Sequence, residues 1–329
     1  MSVKYSRRAF LRLVAASAVA LPIIFLGVDR LISRQNEAQK KSPYPLFNAV
    51  DKFGIKEFYP TKQNGLEWFA DWDKDRTVAN NSFDPYDNKF GLGSGKGLII
   101  GEGIARIRSF DGSHRLFVKG PWLNTEQTVY IKVLPNGTAS SIQLRSRSNH
   151  HGIQYLPYPD VGYSVNSDST IELNSCGFGN YIVKWGQIQL DFVSIELELM
   201  HPIYSRGLIV EPFTMPKNEY IGFKTVTRTL QNGLVKLEGY NNLDVSSQSN
   251  WIKTIEYLFN GANAAVPDST LVGHLSSLDF CKDKGDKISG DLNNHQIWNK
   301  PSYWNWIRIN NAVNVDLKNY SVREIQQNE

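Results

Sequence analysis

Cysteine is nearly absent from this chain, and so are the motifs that hold cofactors. Among 329 residues, only Cys176 and Cys281 are cysteines. No CxxC pair and no His/Cys cluster with zinc spacing occurs, which argues against a zinc site. No glycine-rich nucleotide loop and no haem signature occurs either, so we expect no organic cofactor. In an oxidising compartment the two cysteines form a disulfide or stay as buried thiols, and their spacing does not decide between these alternatives.

Excess charge is also missing from most of the chain. The net charge is +4, but residues 1–42 alone contain eight Lys/Arg and only two Asp/Glu. Residues 43–329 therefore carry a net charge of −2. A nucleic-acid binder needs a basic surface, so this balance argues against a nucleic-acid partner. Hydrophobic residues make up 41% of the chain and aromatic residues 12%, which indicates a globular protein and not a disordered one.

The start of the chain carries a twin-arginine export pattern. The stretch SRRAFLR places Arg7 and Arg8 just before Phe10 and Leu11. An uncharged run of sixteen residues follows and ends at Val28; a full membrane span needs about 20. The pattern predicts the twin-arginine translocase as a partner during export. It also predicts an extracytoplasmic protein, either secreted or anchored to the outer face of the cytoplasmic membrane.

The pattern leaves the fate of the leader open. After Val28 no small-x-small cleavage site occurs before the polar stretch, so an uncleaved membrane anchor is an alternative to a removed signal. We expect residues 1–30 to be the signal or anchor and residues 31–48 to be a polar spacer. Residues 49–326 are then a single domain.

Strand patterns dominate after residue 45, where helical periodicity is scarce. Asn136-Gly137 and Asn232-Gly233 each separate two alternating segments and predict hairpin turns. Ten or more strands without βαβ alternation predict an all-β, antiparallel two-sheet sandwich of the jelly-roll type. Residues 71–97 and 260–296 are rich in Asp, Asn and Gly, and we expect long loops there.

Three segments carry a resemblance to a known group of proteins: Phe53–Phe69, Glu219–Tyr240 and Arg308–Ile325. They resemble exported, archaeal-type proteins with a concanavalin A-like, or polysaccharide-lyase-like, jelly-roll domain. The resemblance spans most of residues 50–325. It implies two antiparallel sheets, one of them concave, with a carbohydrate, here a polysaccharide, in the groove. The leader pattern adds a signal or anchor helix before them.

One catalytic set of this fold, that of alginate-lyase-type enzymes, is present only in part. Lyase chemistry needs cations beside a uronate carboxylate, and the candidates are Arg145, Arg147, His150, His151 and Lys224. On a regularly alternating strand the two arginines share a face and cradle an anionic sugar in a groove with the other candidates. The alternative is a solvated basic strand face. The catalytic tyrosine and the Gln-x-His element of these enzymes are missing.

A second set, that of laminarinase-type glucanases, is also incomplete. Glu196 and Glu198 share one strand face, but Met200 stands where a third carboxylate is needed, and retaining hydrolysis requires a nucleophile and an acid. The alternative is a solvent-facing glutamate pair. Because neither set is complete, we expect polysaccharide recognition. A lyase or glycoside hydrolase with an atypical catalytic set is the first alternative, and a structural cell-envelope protein is the second.

Tryptophans near the end of the chain are candidate ligand-binding residues. Trp298, Trp304 and Trp306 lie close together in sequence, and such rings stack on the C–H faces of sugars. The alternative is an aromatic core strand that buries at least two of the rings.

Three aspartates have the spacing of a calcium loop. Asp71, Asp73 and Asp75 alternate, but Arg76 occupies the position where an EF-hand has glycine. The pattern therefore predicts a structural calcium ion at most.

Overall fold

The structure of the chain is a computed structural model that describes part of its length. The described residues are 49–148, 163–165, 171–173, 180–186, 191–200, 203–244, 246–247, 249–259 and 302–326. Contacts divide the chain into two compact units, Met1–Leu46 and Phe47–Glu329, and the second contains every described residue. The predicted export signal (Arg7, Arg8, Phe10 and Leu11) and both cysteines (Cys176 and Cys281) lie outside the described residues.

The described residues form eighteen β-strands and no helix, which confirms the all-β prediction. In this part of the chain no helix is long and apolar enough to cross a membrane. The strands are β1 (Glu67–Phe69), β2 (Arg76–Val78), β3 (Ser82–Asp84), β4 (Asp87–Ser94), β5 (Leu98–Gly101), β6 (Ile104–Ile107), β7 (Asp111–Trp122), β8 (Thr125–Thr138), β9 (Ser141–Ser148), β10 (Tyr163–Val165), β11 (Ile171–Leu173), β12 (Asn180–Trp185), β13 (Phe192–Met200), β14 (Ile203–Pro212), β15 (Ile221–Thr229), β16 (Val235–Asn242), β17 (Ile252–Phe259) and β18 (Ser302–Glu324).

Two antiparallel sheets share the last strand. Sheet I has the order β17-β16-β15-β8-β18, and β6 and β1 pair with the other edge of β18. β5 and then β2 continue beyond β6. Sheet II has the order β14-β13-β12-β9-β18-β7-β4-β3. β10 and β11 form a separate pair.

Strand β18 bends at asparagine residues and so runs from one sheet into the other. Its first half pairs with β7 and β9, and its second half pairs with β6 and β8. Two register shifts against β8 coincide with Asn314 (φ 51°) and Asn319 (φ 51°). Asparagine adopts this left-handed conformation more readily than most residues, and a bulge bends a strand. The bends let a single strand serve both sheets.

The two sheets pack face to face around one hydrophobic core. Trp185 of β12 lies 4.9 Å from Phe223 of β15, and Tyr181 of β12 lies 4.9 Å from Phe259 of β17. Side chains alternate between the faces of a strand, so each strand buries every second residue in this core. The predicted antiparallel two-sheet sandwich is confirmed.

The two Asn-Gly pairs behave differently. Leu230 and Leu234 close the turn at Asn232-Gly233, where Gly233 has φ 80°. At Asn136-Gly137, however, β8 continues and turns only after Thr138, so this hairpin prediction is wrong. A Cβ atom on Gly137 would lie 2.5 Å from the carbonyl oxygen of Asn314. The missing side chain therefore allows a close approach of β18.

The expected loop over residues 71–97 is also wrong, because β2, β3 and β4 lie within it. Residues 260–296 lie outside the described part of the chain.

Residues 49–61, which we name the strap, lie against the outer face of sheet I. Thr61 forms a bridge with Ile325. The ring of Phe58 lies 4.5 Å from that of Tyr240, and Tyr59 is buried among Val226, Tyr240 and Ile325. The strap therefore covers part of the surface that sheet I turns away from the core.

Candidate functional site

The outer face of sheet II brings separately predicted residues into one row. Arg145 of β9 pairs with Ile182 of β12 on one side and with Trp306 of β18 on the other. Ile182 also pairs with Glu196 of β13, and Trp306 pairs with Phe117 of β7. The row therefore crosses five neighbouring strands, and it contains three of the residues that the sequence singled out.

A second row lies beside the first and is more accessible. Gln143 pairs with Lys184 on one side and with Arg308 on the other. Lys184 pairs with Ser194, and Arg308 pairs with Arg115. Gln143 is buried, whereas the other four are partly exposed. We name the polar residues of this surface the polar face: Ser113, Arg115, Ser141, Gln143, Arg145, Lys184, Ser194, Glu196, Arg308 and Asn310.

Hydrogen bonds join six side chains of the polar face into a continuous chain across β9, β18 and β7. Each link fixes the orientation of the next group. The links run from Arg145 Nη2 to Gln143 Oε1 (2.6 Å), from Gln143 Nε2 to Ser141 Oγ (3.4 Å), from Asn310 Nδ2 to Ser141 Oγ (2.7 Å), from Arg308 Nε to Asn310 Oδ1 (2.8 Å) and from Arg308 Nε to Ser113 Oγ (3.2 Å).

Among the described side chains of the polar face, four are cationic and one is a carboxylate. Lys184 Nζ donates to Glu196 Oε1 at 2.9 Å, so this pair is neutral overall. Arg115, Arg145 and Arg308 add three further cations. The guanidinium carbon of Arg145 lies 4.5 Å from the centre of the Trp306 ring, which holds the group flat by a cation–π contact. Such a surface attracts anionic ligands.

The tryptophans of this face are packed against protein. Trp304 and Trp306 have 1% and 0% of their surface exposed. The Phe117 ring lies 4.9 Å from the Trp306 ring and 5.3 Å from the Trp304 ring, and Phe83 stacks on Trp304 at 6.3 Å. The expectation that these two rings stack on a sugar must therefore be corrected in favour of the core alternative. Trp298 lies outside the described residues.

Arg147 does not share a face with Arg145, because the alternation of β9 breaks between them. Arg147 has φ 53°, and the register between β9 and β18 shifts at this point. Its Nη2 atom donates to Thr229 Oγ1 of sheet I (2.9 Å) and to Asn124 Oδ1 (3.1 Å), so the side chain lies between the sheets. Burial lowers the pKa of Arg147 to about 10. The prediction of an arginine pair on one strand face is wrong.

Lys224 lies in a third place, on the outer face of sheet I under the strap. Its Nζ donates to Glu126 Oε1 at 2.5 Å and lies 4.4 Å from the centre of the Phe58 ring. Burial lowers the pKa of Lys224, and the carboxylate of Glu126 offsets only part of this effect. Arg145, Arg147 and Lys224 therefore do not line one groove. His150 and His151, like the side chain of Glu198, lie outside the described residues.

The carboxylates of the predicted calcium loop point to different neighbours. Asp71, Asp73 and Asp75 are all exposed, and Asp75 Oδ1 lies directly over Gly101. Arg76 extends to Asp84, with 2.6 Å between Nη2 and Oδ2. In the described ranges, no group of three or more His, Cys, Asp or Glu is placed to hold a metal ion.

Several members of the polar face were missed from the sequence. The predicted site residues do not include Lys184, Arg308, Asn310 or Arg115. Each of these alternates with an aliphatic or aromatic neighbour along its strand. The repeated pattern in SHRLF, SIQLR and WIRIN is the signal that could have found this surface. Recognising it required knowledge that these three strands are neighbours.

No family model matches the chain, and no curated protein matches it. Solved structures with a similar fold include the carbohydrate-binding module CBM66 from Bacillus subtilis, at 9% identity and a TM-score of 0.40 over 74% of this chain and 100% of that one. The exoplasmic/lumenal domain of VIP36, bound to Ca²⁺ and Man3GlcNAc, is 10% identical with a TM-score of 0.39 over 78% and 92%. LamAcat from Zobellia galactanivorans is 11% identical with a TM-score of 0.38 over 85% and 98%. Likenesses at this level say nothing about a ligand.

Proposed function

We propose that this protein recognises polysaccharide through the polar face of sheet II. The observation that carries the proposal is the hydrogen-bonded chain from Arg145 to Ser113. Its buried half, Arg145, Gln143 and Ser141, fixes the orientation of the other half before any ligand arrives. That other half, Arg308, Asn310 and Ser113, is partly exposed. Sugar hydroxyls pair with such groups, and ordering them in advance lowers the entropic cost of binding.

The charge of the polar face favours an acidic polysaccharide. Arg115, Lys184 and Arg308 are partly exposed, whereas Glu196 is buried and paired with Lys184. An arginine binds a carboxylate with two parallel hydrogen bonds, which adds specificity to charge attraction. We therefore propose a polymer that carries carboxylates, such as a polyuronate, as the preferred substrate class.

Recognition is favoured over cleavage because the described groups do not form an acid and nucleophile pair. On the polar face, Glu196 is the carboxylate that the described residues provide, and Lys184 neutralises it. Retaining hydrolysis needs two carboxylates about 5–5.5 Å apart. A lyase or hydrolase with an atypical set remains the alternative for the same surface.

The proposal is tested with the full-length protein and a double substitution, Lys184→Ala with Arg308→Ala. Binding of polygalacturonate, alginate and a neutral β-glucan is measured by biolayer interferometry at low and high salt. We expect the wild type to prefer the acidic polymers. The double variant should bind them at least about tenfold more weakly, since each lost charge-assisted hydrogen bond is worth about 1.5–3 kcal/mol.

A matched control removes the same charge elsewhere. Lys52 and Lys217 are exposed, and the Lys52→Ala, Lys217→Ala variant should bind like the wild type. Equal binding by the Lys184/Arg308 variant and the wild type, or no binding to any polymer, would contradict the proposal. New reducing ends or an unsaturated product would replace recognition with cleavage.

We also propose export by the twin-arginine route, with the protein then secreted or held at the outer face of the cytoplasmic membrane. The pattern around Arg7 and Arg8 supports this placement, and an external polysaccharide would be met there. Changing both arginines to lysine should leave the folded protein in the cytoplasm, and cell fractionation measures the outcome. Unimpaired export of that variant would contradict the proposed route.

A further inference from the structure

A second cationic surface lies on sheet I, on the side of the sandwich opposite to the polar face. Tyr220 stands just before β15, and two lysine ammonium groups lie over its ring. The Nζ atom of Lys318 is 4.2 Å from the ring centre and that of Lys132 is 5.6 Å from it. All three side chains are partly exposed, so the surface is open to a ligand.

Two arginines continue this surface across the neighbouring strands. Asp316 of β18 pairs with Lys132 of β8 on one side and with Arg106 of β6 on the other. Arg108 Nη1 lies 2.7 Å from Asp316 Oδ1, and Arg106 Nε lies 3.9 Å from Asp316 Oδ2. We name Arg106, Arg108, Lys132, Lys318 and Tyr220 the Tyr220 patch.

The two lysines of the patch share the Tyr220 ring as a neighbour. Within the described part of the chain, neither Lys132 nor Lys318 has a carboxylate at salt-bridge distance, and the carboxylate of Asp316 is shared by the two arginines. Burial lowers the pKa of Lys318, and the charge of Lys132 lowers it further. Placing like charges together is unfavourable, and a bound anion between them would remove this repulsion.

We propose that the Tyr220 patch is a second binding site, which takes the oxyanions of an acidic polysaccharide, either carboxylates or sulfate esters. Across β6, β18 and β8 the row is Arg106, Asp316 and Lys132, and Lys318 lies two residues further along β18, so cations lie on both sides of one carboxylate. A polymer that carries several oxyanions contacts cations on both sides of Asp316, whereas a single small anion reaches only one side. With the polar face on the opposite side, one molecule could then join two polymer chains.

The test uses the full-length protein and the Lys132→Gln, Lys318→Gln variant. Both residues are partly exposed, so the substitutions should leave the fold intact. Binding of polygalacturonate, dextran sulfate and neutral dextran is measured at two salt concentrations. Made in the Lys184→Ala, Arg308→Ala background, the two lysine substitutions should weaken the remaining binding of the preferred acidic polymer at least about tenfold, with no binding of neutral dextran. The two acidic polymers distinguish carboxylate from sulfate.

The Lys184→Ala, Arg308→Ala variant separates this inference from the proposed function. In that background the Tyr220 patch should still bind, and hydrogen exchange should show protection near residues 130–134 and 315–320 when polymer is added. If only the proposed function is wrong, this protection and the effect of the lysine substitutions remain. If only the inference is wrong, the protection and the effect of the lysine substitutions are both absent, and the polar face still binds polymer.

Charge loss elsewhere serves as the control. Lys89 and Lys96 are exposed and lie away from the patch, so the Lys89→Gln, Lys96→Gln variant should bind like the wild type. Equal binding by the two lysine double variants, each made in the Lys184→Ala, Arg308→Ala background, would overturn the inference. It would also be overturned if the patch lysines affected only binding to phosphatidylglycerol vesicles, because the surface would then be a membrane contact.

Discussion

Charged side chains are arranged differently on the strap-covered part of sheet I and on the polar face of sheet II. Under the strap on sheet I, Glu126 joins Lys224 at 2.5 Å and Arg323 at 3.0 Å, and all three side chains are 1% or 2% exposed. On sheet II, neutral Ser, Gln and Asn side chains link the arginines, and Lys184 and Arg308 remain partly exposed. On one face the strap covers paired charges, whereas on the other the donors Lys184 and Arg308 are partly exposed and held by hydrogen bonds.

The difference separates the strap-covered part of sheet I, where the paired charges serve stability, from the polar face, for which we propose binding. A buried charge must be paired, because removing it from water is expensive, and the strap supplies the partners: Glu57 lies 3.2 Å from Arg323, and the Lys56 carbonyl accepts from Lys224. The covered part of sheet I is therefore occupied and satisfied. Among the described residues of the polar face, Lys184 and Glu196 form the ion pair, and the other polar contacts are made by neutral Ser, Gln and Asn side chains.

The largest expected effect is loss of stability when the strap-covered network is broken. Lys224→Met should destabilise the protein by about 3 kcal/mol, because it leaves Glu126 buried with one cation fewer. Chemical denaturation of the full-length protein measures this change. Hydrogen exchange at the Phe58 amide, which donates to Glu126 Oε2 at 3.0 Å, should also become faster.

The matched substitution is Lys132→Met on the same face, where the lysine is partly exposed and has no described carboxylate partner. It should change the unfolding free energy by no more than about 0.5 kcal/mol. Similar losses in the two variants would show that the strap-covered lysine stabilises the protein no more than a partly exposed one, and the contrast would then fail.

The same network should also make the unfolding free energy depend on pH in the acidic range, with a smaller effect. Burial raises the pKa of Glu126 and of Glu238, but neighbouring cations outweigh it, so both lie below their ordinary value of 4.5. The unfolded chain therefore binds protons first as the pH falls. The stabilisation is complete above about pH 4.5 and is lost as the pH passes through the lower folded pKa values.

Urea denaturation between pH 6 and pH 3 measures this loss. Glu238→Gln should reduce the slope of stability against pH below 4.5, since it removes one of the two groups. Glu219 is exposed, and Glu219→Gln should leave the slope unchanged. Identical slopes in the wild type and Glu238→Gln would mean that the network does not control acid stability.

The sequence predicted the sandwich better than it predicted the faces. Alternation of apolar residues depends on local pattern, so the strands and the turn at Asn232-Gly233 could be found without the fold. At Asn136-Gly137 the same two residues continue a strand, because Gly137 meets the backbone of β18, which comes about 180 residues later in the chain. No local pattern contains that contact.

The prediction of the candidate site was wrong for a related reason. Arg145, Arg147 and Lys224 looked like one cationic cluster, but a bulge turned Arg147 inward and Lys224 belongs to the other sheet. Arg145 and Glu196 both lie on the polar face, but both are buried, so neither is the solvent-facing group that the alternating pattern allowed. Their partners Gln143, Lys184 and Arg308 come together only through strand order, which single-sequence periodicity does not reveal.

The smallest expected effect lies at the ion pair of the polar face. Lys184 and Glu196 are 2.9 Å apart, and their side chains are 18% and 8% exposed. A double-mutant cycle with Lys184→Met and Glu196→Gln should give a coupling energy of about 1 kcal/mol or less, because water still reaches the lysine. Denaturation of the four proteins measures it. A coupling of about 3 kcal/mol or more would mean that this pair stabilises the fold as strongly as the strap-covered charges do, and Lys184 would then be a structural residue and not a group available to a ligand.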